Sequence, residues 1–115
     1  MAGTKPGDVY AAELYQPDAQ AADVTLEGPA IPQGRVVKIE AMIIVDVTTG
    51  NKTCRLGYDR GGTKYWMKRE AAGSSGYGIA LLPPMILVGG EKPVGRIESA
   101  TLNDDIYFIA RGIYL

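Results

Sequence analysis

A chain of 115 residues, 46% hydrophobic and 22% charged, has the balance of one globular domain that can bury a core without covalent staples. With no histidine and a single cysteine, Cys54, it lacks the residues for a zinc enzyme, a serine or cysteine triad, a disulfide framework or a thiolate cluster. A net charge of −1 argues against a domain built to hold nucleic-acid phosphates.

Fifteen Gly and seven Pro punctuate the chain, and seven Tyr favour pleated strands, so the composition leans to all-β. No apolar run reaches the ~18 residues of a membrane span. MAGTKPGDVY has no signal-peptide core, and a reducing cytoplasm is the expected compartment.

Residues 1–33, broken by Pro6, Pro17, Pro29 and Pro32, read as an extended N-terminal arm with short strands near 8–15 and 22–27 or, equally, as a polar linker. Over residues 1–34 Lys5 stands against five acids, whereas residues 52–70 hold six basic and two acidic residues. These blocks are expected to attract one another, within a chain or between copies.

A sandwich domain is expected over 34–115. In GRVVKIEAMIIVDV, positions 37, 39, 41, 43, 45 and 47 are all apolar, a period-2 strand. Its opposite face includes Met42 and Ile44, so its middle is apolar on both sides; such a strand is either covered twice or rests these exposed residues against another subunit. TTGNK turns into the strand TCRLGYD, and Arg60-Gly61-Gly62 turns into TKYWMKR, where Lys64, Trp66 and Lys68 are expected to share one face. GSSGYG is read as a flexible loop before GIALL; it lacks the Lys-Ser/Thr of a phosphate loop. Pro83-Pro84 stops that strand, MILV follows, and Gly89-Gly90 with Pro93 marks a corner before VGRIES and the last strand. Turn signals every 8 to 12 residues are the spacing of a sandwich or jelly roll.

In LNDD, Asp104 and Asp105 supply turn chemistry: Asn103 tolerates a left-handed backbone and Asp side chains bond nearby N–H groups. A calcium loop would need further oxygen ligands at alternating spacing. No catalytic residue, metal site or cofactor is expected. The basic, aromatic stretch RGGTKYWMKR admits three readings: a single-strand nucleic-acid platform, a protein contact, or a plain hairpin.

The C-terminal third, PPMILVGGEKPVGRIESATLNDDIYFIARGIYL, resembles the ending of small jelly-roll virion proteins of tailed bacteriophages. The features carrying the likeness are Ile86 to Val88, Gly90-Glu91, Ser99-Ala100-Thr101, Asp104-Asp105 and Ile106 to Leu115. The resemblance implies a capsid decoration or cement protein on the outer capsid surface of a virion, assembled in the host cytoplasm. Its partners would be the major capsid protein and further copies of itself as a dimer or trimer; neither membrane nor nucleic acid is expected.

The expected fold is therefore an all-β, antiparallel jelly-roll or β-sandwich of about eight strands with an N-terminal arm. Expected protein-contact residues are Tyr10, Leu14 and Tyr15 on the arm, Met42 and Ile44, and Lys64, Trp66 and Lys68. The alternative is a tail, fibre or baseplate module binding a carbohydrate or receptor, with Trp66, Tyr65 and Tyr77 as a stacking platform.

Overall fold

The computed structural model describes residues 5–73, 77–82 and 84–115, and within them nine strands form two antiparallel sheets. The first sheet has the order β1 (Val9–Gln16), β9 (Ile106–Tyr114), β3 (Val36–Asp46) and β6 (Gly78–Leu81), with β7 (Met85–Val88) also on β3. The second has the order β2 (Val24–Glu27), β8 (Lys92–Ile97), β4 (Thr53–Arg60) and β5 (Thr63–Ala71). Because β6 pairs with Met42–Val45 and β7 with Val36–Ile39, the two share one strand position, and the sandwich has eight. The chain winds between the sheets as a jelly roll. Of the expected loop GSSGYG, residues 74–76 lie outside the described residues, as does Pro83 of the Pro83-Pro84 stop.

Turn residues do what their chemistry allows. Gly61 and Gly62, at φ 60° and 91°, close the β4–β5 hairpin with the two left-handed residues that a tight primed turn requires. Asn51 and Asn103 are also left-handed, at φ 61° and 70°.

The core lies between the sheets. Phe108, Ile44 and Leu56 are fully buried, and Phe108 fills the space where Gly95 lacks a side chain: a Cβ there would stand 2.7 Å from the ring. Strand β9 alternates without interruption, with Ile106, Phe108, Ala110, Gly112 and Tyr114 buried. It is central in its sheet, pairing with β1 on one side and β3 on the other, and its outward set is also largely apolar, with Tyr107, Ile109 and Ile113.

The stretch expected as an arm supplies an edge strand to each sheet. β1 runs in register along β9 from Val9↔Ile113 to Gln16↔Ile106, and β2 pairs with β8. Tyr10, Ala12, Ala19 and Ile31 join the core. The Tyr10 hydroxyl donates to the Pro29 carbonyl at 2.6 Å, which ties the segment back on itself.

Three expectations are corrected. Met42 and Ile44, expected exposed, are buried in the core, at 1% and 0% exposure. The cause is a β-bulge: the β3–β9 register slips between Ile39 and Ala41, so Glu40 is an extra residue and the strand's faces exchange. Tyr10 likewise turns inward and is no contact residue. Pro93, expected at a corner, is the second residue of β8 and pairs with Tyr58; near a strand's start its missing N–H costs little.

Candidate interaction faces

Each sheet buries one face, so the outward faces are where function can reside. On the second sheet, Trp66 of β5 pairs with Gly57 of β4. The indole lies beside two guanidiniums, Arg96 at 5.0 Å and Arg55 at 5.7 Å from the ring centroid. Arg55 in turn donates to Glu98 at 2.9 Å, which also takes Arg69 through Nε at 2.8 Å and a second nitrogen at 3.1 Å. Those hydrogen bonds, from Arg69 first and Arg55 second, hold Glu98 well below the usual carboxylate range, at about 2. Lys64 reaches Asp59 at 3.0 Å and Glu27 at 3.5 Å, so the acidic N-terminal block and the basic block meet within one chain.

Lys68 does not join this face. The β4–β5 register shifts between Leu56 and Gly57, making Met67 an extra residue, and Lys68 then pairs with the inward Leu56. Its ammonium donates to the Ala80 carbonyl of the other sheet at 2.8 Å. Lys64 and Trp66 are thus brought together, and Lys68 is not. Nor do Trp66, Tyr65 and Tyr77 form one platform. Tyr65 pairs with Tyr58, on which it stacks at 5.1 Å, and neighbouring residues of a strand point to opposite faces. Tyr77 accepts the N–H of Asp46, in the other sheet.

The first sheet's outer face is apolar. Tyr15 of β1 and Tyr107 of β9 stack at 4.5 Å and 15°, forming a ridge, with Tyr15 half exposed. Beside it lie Ile109, Ile43 and Val45, then Ile86, Val88 and Leu82, the last 68% exposed. A recess of about 240 Å³ opens among Ala41, Ile43, Ala80, Leu82, Ile109 and Arg111. The charges are few and paired: Arg111 with Glu13 at 3.6 Å, and Lys38 with Glu40 at 4.0 Å. Of the expected arm contacts Tyr15 faces outward here, while Leu14 packs partly against the core. Sequence reasoning missed Ile43, because the unseen bulge put Met42 and Ile44 in its place.

At one end of the sandwich the acid corner holds a feature that no sequence cue announced. Asp104 performs the expected turn chemistry, accepting the Thr101 N–H at 2.8 Å, and also takes the Thr49 hydroxyl at 2.6 Å. Its further partner is Asp46, at the end of β3, and both side chains are fully buried. One Asp46 oxygen accepts the N–H groups of Thr48 and Thr49, at 3.0 and 2.9 Å. The other has no donor among the described residues, so two acids can bond there only with a proton between them. Burial first, and then that hydrogen bond to Asp104, push Asp46 up to about 6. Burial pushes Asp104 upward as well, but hydrogen bonds from Asp46, Thr49 and Thr101 outweigh it and hold that carboxyl below its ordinary value. The pair clasps two loops and is closed to solvent, so it has no route to a substrate.

Among the described residues no cluster of three His, Cys, Asp or Glu could hold a metal, and no helix is long and apolar enough to cross a membrane. Cys54 is buried, and burial pushes its thiol up to about 11, away from nucleophilic use.

No protein-family model and no curated protein matches the chain. Among solved structures it is similar to a chain in the acidic stable capsid structure of Helicobacter pylori bacteriophage KHP30. The identity is 12%, over 96% of this chain and 90% of that one, with a TM-score of 0.64. Lesser likenesses are to the Drosophila NLP core, described in terms of pentamer formation and histone binding, and to a chain of the cyanophage Pam1 capsid asymmetric unit. These stand at 13% identity with TM-scores of 0.49 and 0.44, covering 94% and 100% of this chain and 98% and 90% of those chains. The KHP30 match is a likeness of fold across nearly the whole of both chains.

Proposed function

We propose that the protein is a structural component of a bacteriophage virion: a decoration or cement protein that binds the shell of major capsid protein and stabilises it. The observation that carries the reading is a sandwich whose two outer faces are equipped for contact and whose buried acid pair, Asp46 with Asp104, is sealed from solvent. The fold likeness to a chain of a phage capsid supports it, as does the resemblance of residues 83–115 to jelly-roll virion proteins. Binding to a shell requires no chemistry, and the protein acts without a cofactor. The Trp66 face, with Lys64, Arg55 and Arg96, is the contact to the shell, since Trp and Arg anchor protein interfaces.

Purified protein added to shells that lack it tests the proposal. Bound protein should raise the temperature and lower the salt at which those shells come apart. Trp66→Ala should bind at least ~10-fold more weakly while keeping its fold. If the wild-type protein neither binds nor protects, the proposal is wrong.

A further inference from the structure

We infer that the apolar outer face of the β1–β9–β3–β6/β7 sheet is covered by the same face of a second copy, giving a two-fold dimer. This goes beyond the capsid reading and rests on it only in leaving the Trp66 face free for the shell.

The first support is area. Four strands at ~4.8 Å spacing and strands of eight or nine residues at ~3.4 Å each make a face of roughly 500 Å². Two such faces bury about 1,000 Å² together, the threshold for a specific interface. Large exposed apolar residues tile much of it, including Tyr15, Tyr107, Ile43 and Leu82, whereas a monomer rarely leaves more than a few hundred Å² of contiguous apolar surface in water.

The second support is self-complementarity. The face carries a ridge, the Tyr15–Tyr107 stack, and a recess of about 240 Å³ beside it. A two-fold axis lying in the interface midway between them seats each copy's ridge in the other's recess. Arg111 borders that recess, so the incoming tyrosine rings meet a guanidinium, a favourable contact between cation and ring. Charge agrees with shape. Glu13 and Arg111 already pair with each other at 3.6 Å on this face, so the two copies bring no uncompensated charge from them into the interface. The other sheet's outer face, laced with guanidiniums and carboxylates around Trp66, offers no comparable dry surface.

Sedimentation equilibrium of the purified protein over a wide concentration range, with no shells present, reads the dimer directly. The expected mass is twice the 12.3 kDa of one chain. Ile43→Glu and, separately, Leu82→Glu place charges on the face without entering the core, and each should weaken dimerisation on the order of 100-fold. An unchanged far-UV spectrum and melting temperature would show that the variants fold. A wild-type protein that stays at 12.3 kDa at the highest concentration overturns the inference. So does a dimer, or a larger oligomer, that survives both substitutions. If the wild type is monomeric and Ile43→Glu abolishes shell binding, the face belongs to the shell, and the capsid reading stands while the dimer falls. A dimer that binds no shell has the converse meaning.

Discussion

Replacing Asp46 by Asn should abolish a pH dependence that the buried acid pair builds into the fold. In the folded chain Asp46 holds its proton up to about pH 6, against 3.8 for an ordinary Asp, because its site is buried and the proton bridges to Asp104. Between those two values the folded state keeps a proton that the unfolded state has released. The contribution of Asp46 to stability must therefore fall as pH rises through the window. A displacement of about 2 units at ~1.4 kcal/mol each amounts to ~3 kcal/mol, most of it gone by pH 6. Asparagine carries an amide N–H where the shared proton sits. It can donate to Asp104 while its carbonyl still accepts from Thr48 and Thr49.

Urea unfolding from pH 4 to pH 8, followed through Trp66 fluorescence, measures the effect. Near pH 4 the two proteins should agree within about 1 kcal/mol, and at pH 8 Asp46→Asn should be the more stable by up to ~3 kcal/mol. Taking the difference between the proteins removes the contribution of Glu98, which runs the other way at lower pH. Asp104→Asn is the contrasting control. Asp104 accepts from Thr49, Thr101 and Asp46, an amide cannot accept all three, and the variant should lose about 2 kcal/mol. An Asp46→Asn protein less stable than wild type at pH 8, or a difference that does not change with pH, would falsify the shared-proton argument.

Gly57→Ala should destabilise by about 2–4 kcal/mol in the same unfolding assay, since the added Cβ would collide with the Tyr65 carbonyl oxygen and the backbone at Trp66, which cannot yield as a side chain can. A loss under 0.5 kcal/mol would mean that the β4–β5 bulge is not as tight as described. Glu98→Gln should cost about 1–3 kcal/mol at pH 7 by leaving Arg55 and Arg69 without their carboxylate. Because Glu98 is held at about 2 against 4.5, its stabilisation is complete above pH 4.5 and is lost as pH falls towards 2, so the gap from wild type should narrow over that range. A gap that stays constant down to pH 2 would show that the charge of Glu98 does not matter. Phe108→Ala should cost about 3–5 kcal/mol, because its ring fills the space over Gly95 and the site has little freedom to collapse.

What could be read in the sequence, and what could not, follows from the period of a strand. In β9 the alternation is unbroken, so its inward set, from Ile106 to Tyr114, is legible residue by residue. In β3 the same reading finds the strand but fails after Ile39, because one extra residue at Glu40 reverses every side chain beyond it. A single insertion of that kind leaves no mark in an apolar pattern that is rich on both faces. The same failure recurs at Met67, where the bulge parts Lys68 from Trp66. β1 and β2 were hard to read as part of the sandwich for a different reason. Edge strands bury less, and prolines flank both, so their composition looks like a linker's although their registers are continuous. The Asp46–Asp104 pair was illegible because it depends on which way Asp46 points, which the bulge decides.

The two bulges also bear on assembly. Without the one at Glu40, Ile43 would face the core and Met42 and Ile44 would lie outside; with it, Ile43 joins Ile109 and the tyrosine ridge on a single dry surface. A thin sandwich can bury only one face of each sheet, so the outer faces must be made compatible with water or covered. The second sheet takes the first course, with ion pairs fixed around Trp66. The first sheet does not. Covering ~1,000 Å² lies at the low end of what a specific interface needs, where complexes are commonly weak, with dissociation constants near ~1 μM, about −8 kcal/mol. An affinity in that range would make the chain a dimer at micromolar concentrations and above, yet separable on dilution. The sedimentation experiment therefore has to span nanomolar to millimolar protein, and a dissociation constant above about 1 mM would leave the apolar face unexplained by self-association.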